Sequence, residues 1–266
     1  MNADQQAGGV WVVDSEHKCK VVLDFCYGAK EVGLDTETYG VNPKDESPVH
    51  RGHPACWSLA FERPELGTHA RTGNPLAQRV FLWAEWLPYF KDFLEDHTKT
   101  KVLHNGFTFD RHIFLNEGIN LQGAQDTLRL SKLINANKNM DHGLKNLMWH
   151  LLGYSYGEYK DLFSRPKHAM DEKQWYKTTK GEKVPVPWKE VTVNRPGGGG
   201  KLKVTKASGP YGKVYKALEL IPLNTIRSDY PQRLETLYEY ASLDAKATLE
   251  LYWIMTKKLE AMPWEL

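Results

Sequence analysis

The chain has 266 residues, enough for one large domain or two small ones, and long enough to bury a core without disulfide staples or a structural metal. Hydrophobic residues make up 41% and charged residues 26%, with a net charge of +2, which excludes wholesale disorder and the fibrous classes. No apolar run approaches the ~18–20 residues of a membrane span, MNADQQAGG has no signal-peptide pattern, and Cys19, Cys26 and Cys56 form no CxxC pair, so a soluble cytoplasmic protein with free thiols is expected.

In chain order, residues 10–14 (VWVVD) predict a short strand and residues 18–27 a helix. EVGLDTET (31–38), ACWSLAFE (55–62) and RVFLW (79–83) predict three further strands, separated by loops with NP, GHP and RP turn signals. A helix is expected near Pro88, then the strand KVLHN. GFTFDRHIFLNEG carries apolar residues at helical spacing, placing Asp110 on one face with Phe107, Ile113 and Phe114, and ends at Gly118. A short extended piece follows, then the helices DTLRLSKLI, with Asp126 as its N-cap, and GLKNLMWHLL, closed by Gly153. The last helix is expected from near Pro231 to beyond Tyr252, with Leu234, Leu237, Ala241 and Ala245 on its apolar side. Early strands with helices interleaved later predict a mixed α/β domain spanning residues 1–266.

Residues 165–225 break this rhythm and read as a basic insertion within that domain. Residues 165–216 hold thirteen Lys or Arg and four Asp or Glu, or +9, leaving −7 for the remainder. KEVTVN and KLKVTKA alternate as a β-hairpin whose tip is RPGGGG. GGGGK is not a Walker A loop, because Arg195 and Leu202 stand where that motif requires Gly and Ser or Thr. An acidic part joined to a basic segment suits a metal-dependent enzyme acting on a polyanion; a solvated lysine-rich arm is the other reading.

The carboxylates carry the chemistry. Asp35 and Glu37 are two apart on a strand, so both leave the same face and repel each other unless a cation lies between them; an exposed strand end is the alternative. Asp110 beside an apolar stripe is expensive unless paired, hydrogen-bonded or metal-bound. Tyr240 and Asp244 are one helical turn apart beside Leu237 and Ala241. His104, His112, His142 and His150 lack metal-ligand spacing and read as structural.

DxE on an early strand, N-x4-D at a middle helix and Y-x3-D on the last long helix, in that order, resemble the DEDD superfamily of 3′–5′ exonucleases, in its tyrosine branch. LHNGFTFD, DTLRLSKLI, GLKNLMWHLLGY and GEYKD resemble the proofreading domain of phage family-A DNA polymerases, over residues 31–160 and 231–259. The resemblance implies an RNase H-like (DnaQ-like) fold with a mixed five-stranded sheet flanked by helices. It implies two Mg²⁺ or Mn²⁺ ions held by Asp35, Glu37, Asp110 and Asp244, with Tyr240 orienting the attacking water. With a phenol pKa near 10, Tyr240 suits positioning better than base catalysis. Asn105 and Thr36 resemble positions near the terminal nucleotide, though a turn and a strand hydroxyl explain them equally well. The expected partners are a single-stranded DNA 3′ end and a DNA polymerase or replication protein, with no membrane. Lys201 and Lys203, on one face of the hairpin, are expected to contact the strand, and nucleoside 5′-monophosphates are the expected products. An RNase D-type RNA exonuclease and an inert nucleic-acid- or polymerase-binding module are the alternatives. No polymerase sequence follows Leu266, so an excised domain or a free-standing exonuclease is expected, Met1 and the form of the end favouring the latter.

Overall fold

Alternation along EVGLDTETY, and nearly unbroken burial along HPACWSLAFE and AQRVFLW, produce three adjacent strands: β2 (Glu31–Tyr39), β3 (His53–Glu62) and β4 (Ala77–Trp83). The computed structural model describes residues 9–39, 52–135, 141–157, 162–166, 175–177, 183–185, 188–194, 201–207, 214–215 and 218–262. With β1 (Val10–Val13), β5 (Thr100–Leu103) and β6 (Ala124–Asp126), these strands make a sheet of order β1-β4-β3-β2-β5-β6. The β2/β3 and β3/β4 pairs are antiparallel and the other three parallel. β3 and β4 lie inside the sheet and are buried on both faces, which is why they read as apolar runs rather than alternating ones.

Among the described residues, seven helices flank the sheet: α1 (Glu16–Gly28), α2 (Lys91–Glu95), α3 (Asp110–Asn116), α4 (Thr127–Ile134), α5 (Leu144–Leu147), α6 (Leu223–Asp229) and α7 (Leu234–Glu260). Val32 and Leu34 of β2 and Trp57, Leu59 and Phe61 of β3 share one core with Cys19, Val22 and Cys26 of α1, Phe93 of α2 and Phe114 of α3. On the opposite face Ala60, Ala77 and Val102 meet Ala245 and Leu249 of α7. The two-residue period therefore sends Gly33, Asp35 and Glu37 toward α7. A Cβ on Gly33 would lie 2.3 Å from the Ala245 carbonyl oxygen, so glycine is what lets α7 lie against β2. The Ser58 hydroxyl donates to the Ala241 carbonyl at 2.8 Å, tying the same helix to β3.

Several sequence expectations are corrected. The sheet has six strands, not five: β6 is only three residues long, too short to display a period. The helix near Pro88 is mostly a 3₁₀ turn, Ala84–Phe90, continued by α2. Phe107 precedes α3 in a turn rather than sharing a helical face with Asp110, because α3 begins at Asp110 itself. GLKNLMWHLL is α-helical only over α5 and continues as a π turn, Met148–Leu152, which Gly153 ends at φ 81°.

The chain forms two compact units, Met1–Gly157 with Pro222–Leu266, and Glu158–Ile221. In the second, β7 (Ser164–Pro166) pairs with β13 (Leu218–Leu220), bringing its two ends together. β8 (Trp175–Lys177) lies between β12 (Val214–Tyr215) and β9 (Lys183–Pro185). β10 (Trp188–Asn194) pairs antiparallel with β11 (Lys201–Ala207), Asn194 opposite Lys201 and Thr192 opposite Lys203. The glycine turn, residues 158–161 of GEYKD and the side chains of Lys201 and Lys203 lie outside the described residues.

Candidate active site

Asp35 and Glu37 project from β2 toward α7, which places Asp244 against them. Carboxylate oxygens of Asp35, Glu37 and Asp244 all lie within 4.8 Å of one another. Asp244 is buried and its Oδ1 has no hydrogen-bond partner among the described residues. Burial, and next the charge of Asp244, push Asp35 well above its ordinary value, with Asp110 and Glu37 adding to the effect. Glu37 is raised well above its own value by burial and by Asp244. Asp244 is pushed up to about 7, mainly by burial. Three crowded carboxylates with an orphaned oxygen are unfavourable without a cation. An all-oxygen, acidic donor set is the chemistry of a hard divalent ion such as Mg²⁺ or Mn²⁺, so these residues fit the metal the sequence implies.

Asp110 is treated differently. β5 pairs with β2 only from Glu31 to Gly33, which leaves Thr36 without a strand partner on that edge. Asp110 Oδ1 accepts from both the Thr36 backbone N–H (3.1 Å) and its hydroxyl (2.6 Å). Burial raises Asp110 to about 6, and the Thr36 hydrogen bonds hold it below what burial alone would give. Asp110 therefore adjoins the trio, close enough to raise Asp35 and Glu37, while its carboxylate is anchored to the residue between them. Thr36 is the anchor.

Asp126 caps α4 by accepting from Leu128 N–H at 2.9 Å, as its sequence position predicts. It also accepts from the Asn105 and Phe107 N–H groups and so holds the turn that leads into Asp110. Asn105 sits at φ 62°, a left-handed conformation that asparagine tolerates, and its side-chain oxygen accepts from the Thr108 hydroxyl. His104 and His142 hydrogen-bond to Thr127 and Ser131, consistent with structural roles.

Tyr240 is 8% exposed, one turn before Asp244 on α7. Its hydroxyl accepts from Lys145 Nζ at 3.5 Å, and that ammonium lies 4.9 Å from the ring centres of both Tyr240 and Tyr156. Lys145 also donates to the Gly157 carbonyl at 3.2 Å, and its charge lowers the pKa of Asp35, Glu37 and Asp244. Sequence reasoning missed Lys145: a lysine at the start of an apolar helix reads as solvated, and no spacing rule links it to acids a hundred residues away.

The 3′–5′ exonuclease family matches residues 10–174 of this sequence. The chain belongs to the 3′–5′ exonuclease family. The chain is 28% identical over 241 residues to DNA polymerase I A, chloroplastic/mitochondrial, of Arabidopsis thaliana, a match covering 87% of this chain and 19% of that protein. It is 27% identical over 274 residues to DNA polymerase I B, mitochondrial, of Oryza sativa subsp. japonica, covering 96% of this chain and 22% of that one. The chain thus spans about a fifth of the length of these curated relatives. Its fold is similar to that of Trypanosoma brucei RNase D in a GMP complex, with a TM-score of 0.55 at 13% identity, over 98% of this chain and 60% of that one. The architecture is the mixed-sheet RNase H-like fold. No helix among the described residues is long and apolar enough to cross a membrane.

Proposed function

We propose that this exonuclease removes nucleoside 5′-monophosphates from single-stranded DNA 3′ ends and proofreads for a replicative polymerase in the cytoplasm. The observation that carries the reading is the trio Asp35, Glu37 and Asp244, with a buried Asp244 oxygen that has no hydrogen-bond partner among the described residues. Two divalent ions, when bound, supply the Lewis acidity that activates a water and takes up the charge on the leaving 3′-oxygen. Asp35, Glu37 and Asp244 would hold them, with Asp110 contributing from the position Thr36 gives it. Tyr240 orients the attacking water through its hydroxyl, and Lys145 holds that hydroxyl in place. The DNA preference is supported by the two DNA polymerase I relatives; the RNase D likeness, at 13% identity, bears on fold alone. The same reading assigns Asn105 to the terminal nucleotide, and to the basic residues 166–216, Lys201 and Lys203 among them, contact with the strand or with the polymerase.

The test is release of mononucleotides from a 3′-labelled DNA strand and from the matching RNA, with and without Mg²⁺ or Mn²⁺. The expected result is metal-dependent release of 5′-monophosphates, faster from DNA, and none from the Asp35→Ala protein. Absence of release with any divalent ion would overturn the enzyme reading, and faster cleavage of RNA would overturn the DNA assignment.

A further inference from the structure

A second concavity lies far from the acids. Its volume is about 350 Å³ and it is lined by Arg71, Thr72, Asn74, His150, Leu151, Ile254, Lys257 and Lys258. Three elements build it: the turn between β3 and β4, the π turn after α5, and the last turns of α7. Three of its residues are permanently cationic and a fourth is histidine, and among the described residues no acidic side chain lines it.

The pocket is held together by its own polar contacts. His69 and Asn74 close the turn, with His69 N–H donating to the Asn74 carbonyl and Gly73 N–H to the His69 carbonyl, both at 2.8 Å. The Thr72 hydroxyl accepts from Asn74 N–H at 3.3 Å. Arg71 projects from this turn and donates to the His150 carbonyl at 3.1 Å. The room for its guanidinium comes from Gly153, where a Cβ would lie 2.4 Å from Nη1. Lys257 donates to the buried Asn74 side chain at 2.6 Å, linking α7 to the turn. Cations of like sign gathered in one concavity repel each other unless an anion shares it.

We propose that this pocket holds backbone phosphates of the nucleic-acid strand whose 3′ end occupies the acidic site. The proposal rests on the function inferred above. Lys257 follows Asp244 by thirteen residues on one continuous helix, about 20 Å at 1.5 Å per residue. A strand stacked at 3.4 Å per nucleotide covers that span in about six nucleotides. A tetranucleotide bound at the acids falls short of the pocket; a dodecamer reaches it. An acidic protein segment would satisfy the same charges but offers no reason for a length threshold.

The experiment measures anisotropy of 5′-labelled dT4 and dT12 on the whole chain in EDTA, over a range of salt, alongside cleavage of dT4 in Mg²⁺. The unaltered protein should bind dT12 at least about tenfold more tightly than dT4. Combining Arg71→Gln, Lys257→Gln and Lys258→Gln should remove most of that advantage and flatten the salt dependence of dT12 binding by about 0.7 for each phosphate that is no longer neutralised. Lys258→Glu alone, at a side chain with no hydrogen bond among the described residues, should weaken dT12 binding about threefold. Both variants should cleave dT4 as the parent does, which reports an intact fold and acidic site. Unchanged dT12 affinity and salt slope in both variants overturn the proposal. So does a glutamate dodecapeptide that displaces dT12 as well as unlabelled dT12 does. Failure of the parent to cleave dT4 in Mg²⁺ counts against the proposed function, while the dT12 comparison still decides the pocket.

Discussion

The trio Asp35, Glu37 and Asp244 and the pair Asp110 and Asp126 are both carboxylate groups drawn into the protein, but they are stabilised in opposite ways. Asp126 accepts three backbone N–H groups, and Asp110 accepts one backbone N–H and a hydroxyl. Among the described residues the orphaned Asp244 oxygen has no such donor, and the charge of Lys145 is what lowers the three acids. Capped carboxylates organise the backbone; the uncapped ones keep their lone pairs for something not supplied by the chain. The contrast separates carboxylates held by hydrogen bonds from within the chain from carboxylates crowded together without them.

The largest expected effect comes from breaking the trio. Asp35→Asn should cost about 10³-fold or more in cleavage, on the order of 4 kcal/mol of transition-state stabilisation. It should leave the metal-free melting temperature unchanged or higher, since a like charge is removed. A folded variant with near-parental turnover in Mg²⁺ would sink the assignment. Tyr240→Phe should cost roughly 10²-fold in kcat with metal affinity retained, as expected for a group that positions water; a loss equal to that of Asp35→Asn would make it more than a positioner. Lys145→Met should cost about tenfold and shift the acidic limb of the pH–rate profile upward, because its charge lowers the pKa of all three acids.

The same contrast governs stability. The acids of the trio are raised in the folded state, so above their ordinary values the folded chain binds more protons than the unfolded one, for Asp244 up to about 7. Stability without metal should therefore fall as pH rises from about 4 through the raised values of the three acids, Asp244 titrating at about 7. His104 acts with the opposite sign, because burial lowers it to about 4 and its contribution is lost as pH falls through the ordinary histidine range. The difference in melting temperature between the parent and Asp244→Asn isolates the acids; it should widen with pH in EDTA and reverse in Mg²⁺, where only the parent keeps all its ligands. Asp126→Ala should cost about 1–3 kcal/mol, since it removes a helix cap and two loop anchors. Its effect on melting should be the same with or without Mg²⁺. The smallest effect is expected at Thr36→Val, which removes one of the two donors to Asp110 and should cost about 1 kcal/mol in melting and a few-fold in rate.

Much of the acidic site is readable one element at a time. The strand period alone puts Asp35 and Glu37 on one face, the helical turn alone aligns Tyr240 with Asp244, and local cap chemistry identifies Asp126. Such features depend on neighbours within four residues, whose geometry the backbone dictates. The Asp110–Thr36 hydrogen bond spans 74 positions, and the Lys145–Tyr240 hydrogen bond 95. Neither has a local signature, because each depends on where two packed elements stop.

By itself, the amino-acid order determined the alternation of the strands, the α/β class, the acids on their two elements and the charge split between residues 165–216 and the rest. Tertiary structure alone decided that β6 joins as a sixth strand, and that the pairing of β5 with β2 ends at Gly33, leaving Thr36 for Asp110 to take up. It also decided that Lys145 faces Tyr240, and that Arg71, His150 and Lys257 line one pocket. The physical reason is close approach: α7 can reach β2 only because Gly33 has no side chain, and Arg71 can reach the π turn only because Gly153 has none. A glycine in a sequence permits such an approach, but only the packed partner shows what comes near.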